Sequence, residues 1–256
     1  MEKIIESLKQ IEAKYKIEIL YACETGSRAW GFPSPDSDYD IRFLYRHEKD
    51  WYLSLFERKD TVEVMTKDDF DITGWDIRKS LLLLKKSNNP LIERFQSPIE
   101  YYSKPGFKKD FQYLIEQYYS PTAVYYHHYS IAKKYWEDIL DQQEFRLKNF
   151  FYLVRSLLSC NWILNDKSVL PMHLEGLLKY ADQLIADELR QLVKLKATVG
   201  EKYLHQKNDL LDKWIRNLFL TLEASGEHHG VNNSDIYLLD EFFLKVLYGE
   251  ANDRKG

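Results

Sequence analysis

Residues 21–46 read YACETGSRAWGFPSPDSDYDIRFLYR, and this stretch decides the fold. Ile17–Cys23 is a short apolar run, expected as a first central β-strand. It delivers Gly26-Ser27 at its C-terminal end, where ligands of α/β layers commonly sit. Arg28-Ala29-Trp30 is expected to make a helical turn, and Phe32-Pro33-Ser34-Pro35-Asp36-Ser37 is turn chemistry. Asp38–Tyr45 then alternates, with Tyr39, Ile41 and Phe43 against Asp38, Asp40 and Arg42, and predicts a second strand.

Asp38 and Asp40 are two residues apart, so on a strand both side chains point to one face, about 6.6 Å apart along it. Two bare carboxylates side by side repel. A bound Mg²⁺ removes that conflict, because a hard cation takes oxygen ligands. Gly26 lets the backbone approach a ligand closely, consecutive N–H groups in such a turn bind anions, and Ser27 and Arg28 add a hydroxyl and a cation. A phosphate cradle beside a carboxylate metal site describes phosphoryl or nucleotidyl transfer. Arg42 falls on the acidic face, where it balances the aspartates or reaches a phosphate. The blander reading of the same residues is a surface turn followed by a solvated Asp pair.

The pattern Gly26-Ser27-Arg28-Ala29, about ten residues, then Ser37-Asp38-Tyr39-Asp40, resembles the nucleotidyltransferase superfamily typified by DNA polymerase beta. The longer form GSRAWGFPSPDSDYDIRF is similar to a bacterial and phage predicted nucleotidyltransferase family sometimes associated with RNA ligases. Residues 71–101 (DITGWDIRKSLLLLKKSNNPLIERFQSPIEY) and 148–163 (KNFFYLVRSLLSCNWI) fit that family too, so the resemblance covers roughly 17–180. It implies a third carboxylate on a neighbouring strand, as general base or metal ligand. Asp71 is the choice, with Glu63 as the competitor and Asp76 behind it, since Gly74-Trp75-Asp76 looks like a helix start. It also implies a helical lobe facing the carboxylates, whose Lys148 and Arg155 would hold the triphosphate and whose Tyr152 would stack on a base.

The chain has 256 residues, enough for one large domain or two ordinary ones, and at 45% hydrophobic it can bury a core. Its net charge of −4 does not suit a dedicated non-specific nucleic-acid binder, so any RNA contact rests on a local patch. Seven Lys/Arg against three acids between 190 and 216 offer one mild candidate. Cys23 and Cys160 are isolated, the opening residues carry no signal-peptide pattern, and no apolar run approaches a membrane span. The expectation is a soluble cytoplasmic protein. The pairs His127-His128 and His228-His229 are not read as metal sites, because adjacent histidines do not share a helix face.

Elsewhere the spacing of Ile4, Leu8, Ile11 and Tyr15 predicts a helix over 2–15, and a short helix or loop is expected over 50–57. Strands are expected over 61–65 and from Asp69 to Ile72, then a helix over 74–87 on which Lys79 is solvated or faces the nucleotide. Asn88 caps a helix started by Pro90, and Glu93 is given no chemistry. Ser97-Pro98-Ile99 ends the first lobe. Beyond it helices are expected over 104–119, 121–140, 143–165, 171–181, 184–198, 208–224 and 234–248. Over 143–165, Leu147, Phe151, Val154, Leu158 and Trp162 form one stripe and Lys148, Tyr152 and Arg155 another.

The expected architecture is α+β. A small mixed-sheet nucleotidyltransferase lobe spans 1–100 and an all-helical lobe spans 101–256. The expected chemistry is Mg²⁺-dependent (or Mn²⁺-dependent) transfer of a nucleoside monophosphate from an NTP, ATP first, to a hydroxyl. Asp38, Asp40 and Asp71 serve the metal, and Gly26, Ser27, Arg28, Arg42, Lys148, Tyr152 and Arg155 serve the nucleotide. An RNA end is the favoured acceptor, with an RNA ligase or other protein as possible partner. A protein-modifying (AMPylating) enzyme, a small-molecule nucleotidyltransferase and a non-catalytic nucleotide- or RNA-binding module are the alternatives.

Overall fold

The computed structural model describes residues 1–66, 70–225 and 235–249. In chain order its first half holds α1 (Glu2–Tyr15), β1 (Glu18–Glu24), α2 (Gly26–Trp30), β2 (Tyr39–Arg46), α3 (Lys49–Tyr52), β3 (Thr61–Met65), β4 (Phe70–Asp76), α4 (Ile77–Lys85), α5 (Asn89–Gln96), β5 (Glu100–Ser103) and α6 (Phe107–Tyr118). The second half holds α7 (Pro121–Ile139), β6 (Glu144–Arg146), α8 (Leu147–Asn165), α9 (Leu174–Leu177), α10 (Gln183–Lys196), β7 (Leu204–Gln206), α11 (Asp209–Ala224) and α12 (Tyr237–Tyr248). The fold is a mixed five-stranded sheet with a helical C-terminal part, the α+β class expected. None of the described helices is long and apolar enough to cross a membrane.

Two compact units divide the chain, and the division cuts through the decisive stretch. Residues 1–25, 38–119 and the described 235–249 belong to the first, and 26–37 and 120–225 to the second. The first unit therefore runs past residue 100, the expected end of the catalytic lobe. The reason is aromatic packing: Phe95 of α5 stacks on Phe111 of α6 at 4.2 Å, and Phe107 meets Phe242 of α12 at 5.8 Å.

In the first unit the sheet order is β3-β4-β2-β1-β5. β2 and β4 are parallel, and the other neighbours are antiparallel. Six consecutive residues of β1, Ile19 to Glu24, are buried, as expected of a strand covered on both faces. On one face Ile4, Leu8 and Ile11 of α1 join Ile19, Ile41, Phe43 and Ile72. That helix stops where Lys16 turns left-handed, at φ 53°. Tyr21 of β1 stacks on Phe95 at 4.7 Å.

The structure corrects several expectations drawn from the sequence. Gly74-Trp75-Asp76 is strand, not helix, although Asp76 does cap α4 by accepting the Arg78 N–H. Gly74 is tolerated in the strand because the Phe43 ring fills the space its Cβ would take. Residues 100–103, for which the sequence predicts no element, form the edge strand β5. Residue Asp69, expected to open β4, lies outside the described residues, as does Ser234 at the expected start of α12.

In the second unit α8 is buried nearly all round, with Phe150, Phe151, Leu153, Val154, Leu157 and Leu158 inaccessible, so it is the central helix. Its expected start at 143 is instead β6, which pairs with β7 as a short antiparallel ribbon. The helix expected over 171–181 reduces to α9 and a 3-10 turn over 178–180. Ser120 and Asn208 cap α7 and α11 through their side-chain oxygens.

Candidate active site

Parallel pairing of β2 with β4 sets Asp40 directly opposite Asp71. Asp40 sits on the half-buried face of β2, between buried Ile41 and exposed Tyr39. Arg42, two residues on along the same face, lies over both carboxylates. Its Nη2 donates to Asp40 Oδ1 at 2.9 Å and to Asp71 Oδ2 at 2.7 Å. Its Nη1 donates to the carbonyls of Asp71 at 2.7 Å and Ile41 at 3.1 Å. Of the two sequence readings of Arg42, the structure displays the carboxylate partner. Asp38 is exposed and lies one residue ahead of β2 rather than opening it.

Glu63 and Asp76, the alternatives for the third carboxylate, are engaged by other partners. Glu63 is exposed on edge strand β3, paired with Thr73, and makes an ion pair with Lys59 at 3.5 Å. Asp76 is buried at the cap of α4, accepts the Tyr52 hydroxyl at 2.7 Å, and has its pKa raised by burial. Lys79 is engaged with Asp60 and Thr61 at 2.9 and 2.7 Å, and Glu93 accepts from Asn89 at 3.1 Å.

Glu24, which sequence reasoning passes over, completes this cluster. It is fully buried at the end of β1, accepts the Asp40 N–H at 2.8 Å, and takes a hydrogen bond from the Tyr101 hydroxyl. Thr25 N and Oγ1 both donate to the Asp40 carbonyl. Cys23 beside it is a buried thiol whose pKa burial pushes up to about 12, so it stays neutral.

The donor chemistry of Asp40 and Asp71 fits a hard divalent cation. Among the described residues no group of three or more His, Cys, Asp or Glu side chains forms a ready metal cage.

Gly26, Ser27 and Arg28 lie in the second unit, as α2 and its start. Gly26 adopts φ 62°, a conformation that favours glycine. Ser37 organises the loop that follows: its hydroxyl accepts from Ser27 Oγ at 3.1 Å and Ser34 N at 3.0 Å and donates to Glu201 at 3.0 Å. Arg28 donates to the Ser37 carbonyl at 2.7 Å.

The same loop collects all three α8 residues singled out in the sequence. Tyr152 meets the Trp30 ring edge-on at 5.3 Å and stacks on Tyr135 at 5.2 Å. The buried Arg155 guanidinium lies 4.4 Å from the Trp30 ring centre and donates to the Met172 carbonyl at 3.4 Å. Lys148 pairs with Glu201 at 2.6 Å, and Glu201 binds Ser37. Buried Lys196 donates to Ser34 at 2.8 Å, and the Glu201 N–H donates to Asp36 at 2.9 Å. Neither Glu201 nor Lys196 shows a motif of its own in the sequence.

Much of the expected basic surface over 190–216 is internally neutralised. Arg190 pairs with Glu175 and Asp187, and Lys207 and Arg216 share Asp212. The pair His228-His229 lies outside the described residues.

A family profile described as "RNA repair pathway DNA polymerase beta family" matches residues 1–245. The chain is 38% identical over 216 residues to the Bacillus subtilis (strain 168) protein named "Uncharacterized protein YcgL", covering 84% of this chain and 83% of that one.

Proposed function

The chain belongs to the RNA repair pathway DNA polymerase beta family, and from that premise we propose that it transfers a nucleoside monophosphate from an NTP, ATP first, to the hydroxyl end of an RNA. The observation that supports this reading is the register setting Asp40 opposite Asp71 on adjacent parallel strands. Asp38, Asp40 and Asp71 would hold Mg²⁺ or Mn²⁺. The cation, when bound, supplies charge neutralisation at the attacking and leaving oxygens.

In this reading the acceptor oxygen attacks the α-phosphorus, the bond from that phosphorus to the bridging oxygen breaks, and pyrophosphate leaves. The hydroxyl proton passes to Asp71, unless that carboxylate serves as a metal ligand only. Gly26 and Ser27 would bind the β- and γ-phosphates through backbone N–H and hydroxyl, with Arg28 as a cation, and Arg42 would serve the nucleotide from the carboxylate pair. Lys148, Tyr152 and Arg155 would act on the nucleotide through the loop they hold. An RNA ligase is a candidate protein partner, since joining consumes ends that such a transfer prepares.

The test is transfer from α-labelled ATP, CTP, GTP and UTP with Mg²⁺ or Mn²⁺ to tRNA, broken RNA, a protein lysate or no acceptor. Label on RNA, lost in Asp40→Asn and Asp71→Asn but kept in Glu63→Gln, is the expected result. Label on a protein band or a small molecule would replace the acceptor. ATP binding without pyrophosphate release would turn the reading to a binding module.

A further inference from the structure

Arg42 already occupies the position that the proposed function gives to a cation. One guanidinium nitrogen bridges the carboxylates of Asp40 and Asp71 at 2.9 and 2.7 Å. The other is tied to two backbone carbonyls, of Asp71 and Ile41. These two halves have different consequences. The carbonyl bonds run from the side chain to the backbone of the two strands and use no carboxylate oxygen. The carboxylate bonds engage one oxygen of each group, Oδ1 of Asp40 and Oδ2 of Asp71, on the carboxylates that a divalent ion would use. A guanidinium and a dication held on the same two carboxylates repel each other.

We infer that Arg42 and the divalent cation are alternative occupants of the Asp40–Asp71 pair. Without metal, Arg42 neutralises two carboxylates that the register forces together, and holds their side chains in place by charge-assisted hydrogen bonds. When metal binds, the bridging nitrogen gives up both carboxylates while the other stays on its carbonyls. The guanidinium then remains at the site with free N–H groups, suited to an anion such as a nucleotide phosphate. Arg42 is thus a built-in counter-ion whose release is coupled to metal binding. The inference rests on the proposed metal role of Asp40 and Asp71.

Mn²⁺ titration of the nucleotide-free protein, followed by the loss of the free Mn²⁺ electron paramagnetic resonance signal, tests it. Arg42→Met should bind Mn²⁺ about tenfold more tightly than the parent, because no internal cation has to be displaced. Arg42→Lys keeps the charge but loses the two-point fork, and should fall between the two. Arg42→Met should also melt lower than the parent in chelator and be raised more by Mn²⁺. Equal or weaker Mn²⁺ binding by both Arg42 variants, with binding still lost in Asp40→Asn, would overturn the exchange and leave the metal reading standing. No Mn²⁺ binding by parent or variants would overturn the metal reading and the exchange with it.

Discussion

The carboxylate of Glu24, wholly buried at the end of β1, accepts the backbone N–H of Asp40 at 2.8 Å. An acid is costly to bury unless its hydrogen bonds are made, and this one is met by the Asp40 amide and the Tyr101 hydroxyl. With Thr25 donating twice to the Asp40 carbonyl, the backbone of Asp40 is gripped on both sides. Glu24→Ala leaves two donors without their acceptor and should cost about 2–3 kcal/mol of stability by urea denaturation. Glu24→Gln keeps an acceptor for the Asp40 amide and should cost less than half as much. Mn²⁺ binding should weaken in the same order. Equal losses in the two variants would mean that the charge of Glu24, not its acceptor, is what matters.

Gly74 pairs in register with Phe43, and a Cβ built on it falls 2.1 Å from the Phe43 ring. Phe43 is fully buried on a central strand, so the ring has little room to withdraw. Gly74→Ala should destabilise the protein by about 2–3 kcal/mol through overpacking. Phe43→Leu on its own should also destabilise, but combined with Gly74→Ala it should cost less than the sum of the two. Additive losses would place the strain elsewhere.

Part of this arrangement is legible in the amino-acid sequence alone. The spacing of Ile4, Leu8 and Ile11 is a helix face, and it packs on the sheet as one. The apolar run Ile17–Cys23 reads as a central strand, and six residues of β1 are buried. Asp40 and Arg42 share a face by strand periodicity, but their link to Asp71 depends on a parallel pairing about thirty residues away in sequence, which no local pattern encodes. Glu24 escapes notice because an acid ending an apolar run looks like the surface end of a strand. Gly74-Trp75-Asp76 misleads because Asp76 is a true helix cap, while the strand leading into it puts Gly74 and Asp76, not apolar residues, at the buried positions that continue from Phe70 and Ile72. Strands β5, β6 and β7 have three or four residues each, too few for alternation to register.

Acid should weaken the fold through its buried imidazoles. His47 stacks on Trp51 at 4.0 Å, and burial together with nearby Arg58 pushes its pKa down to about 4. His128 is buried with no hydrogen-bond partner on either ring nitrogen among the described residues, and its pKa is lowered by burial, then by Arg155 and His127. An unfolded histidine takes up its proton near pH 6.5. Between about 6.5 and 4 the unfolded chain therefore holds more protons than the folded one, and stability falls as pH falls. His47→Phe keeps the ring contact and should show a shallower decline between pH 7 and 5 in urea denaturation. Identical slopes for parent and variant would remove His47 from the cause.

Glu201 links the loop carrying Gly26 and Ser27 to α8, with two bonds to the loop and one to Lys148. Its carboxylate accepts from Ser37 at 3.0 Å and from Lys148 at 2.6 Å, and its backbone N–H donates to Asp36 at 2.9 Å. The side-chain bonds are half-exposed, so each is individually modest, but both end on the same carboxylate and are lost together. Glu201→Ala should cost about 1–2 kcal/mol. The backbone bond to Asp36 survives that change, so the loop should loosen rather than detach. Hydrogen exchange of amides in 26–37 should then rise about tenfold, while β2 and β4 exchange as before. Glu201→Gln still accepts from Ser37 and should raise exchange only slightly. A uniform rise across both units would mean that Glu201 supports global stability, and unchanged exchange in 26–37 would mean that Trp30, through Tyr152 and Arg155, holds the loop without it.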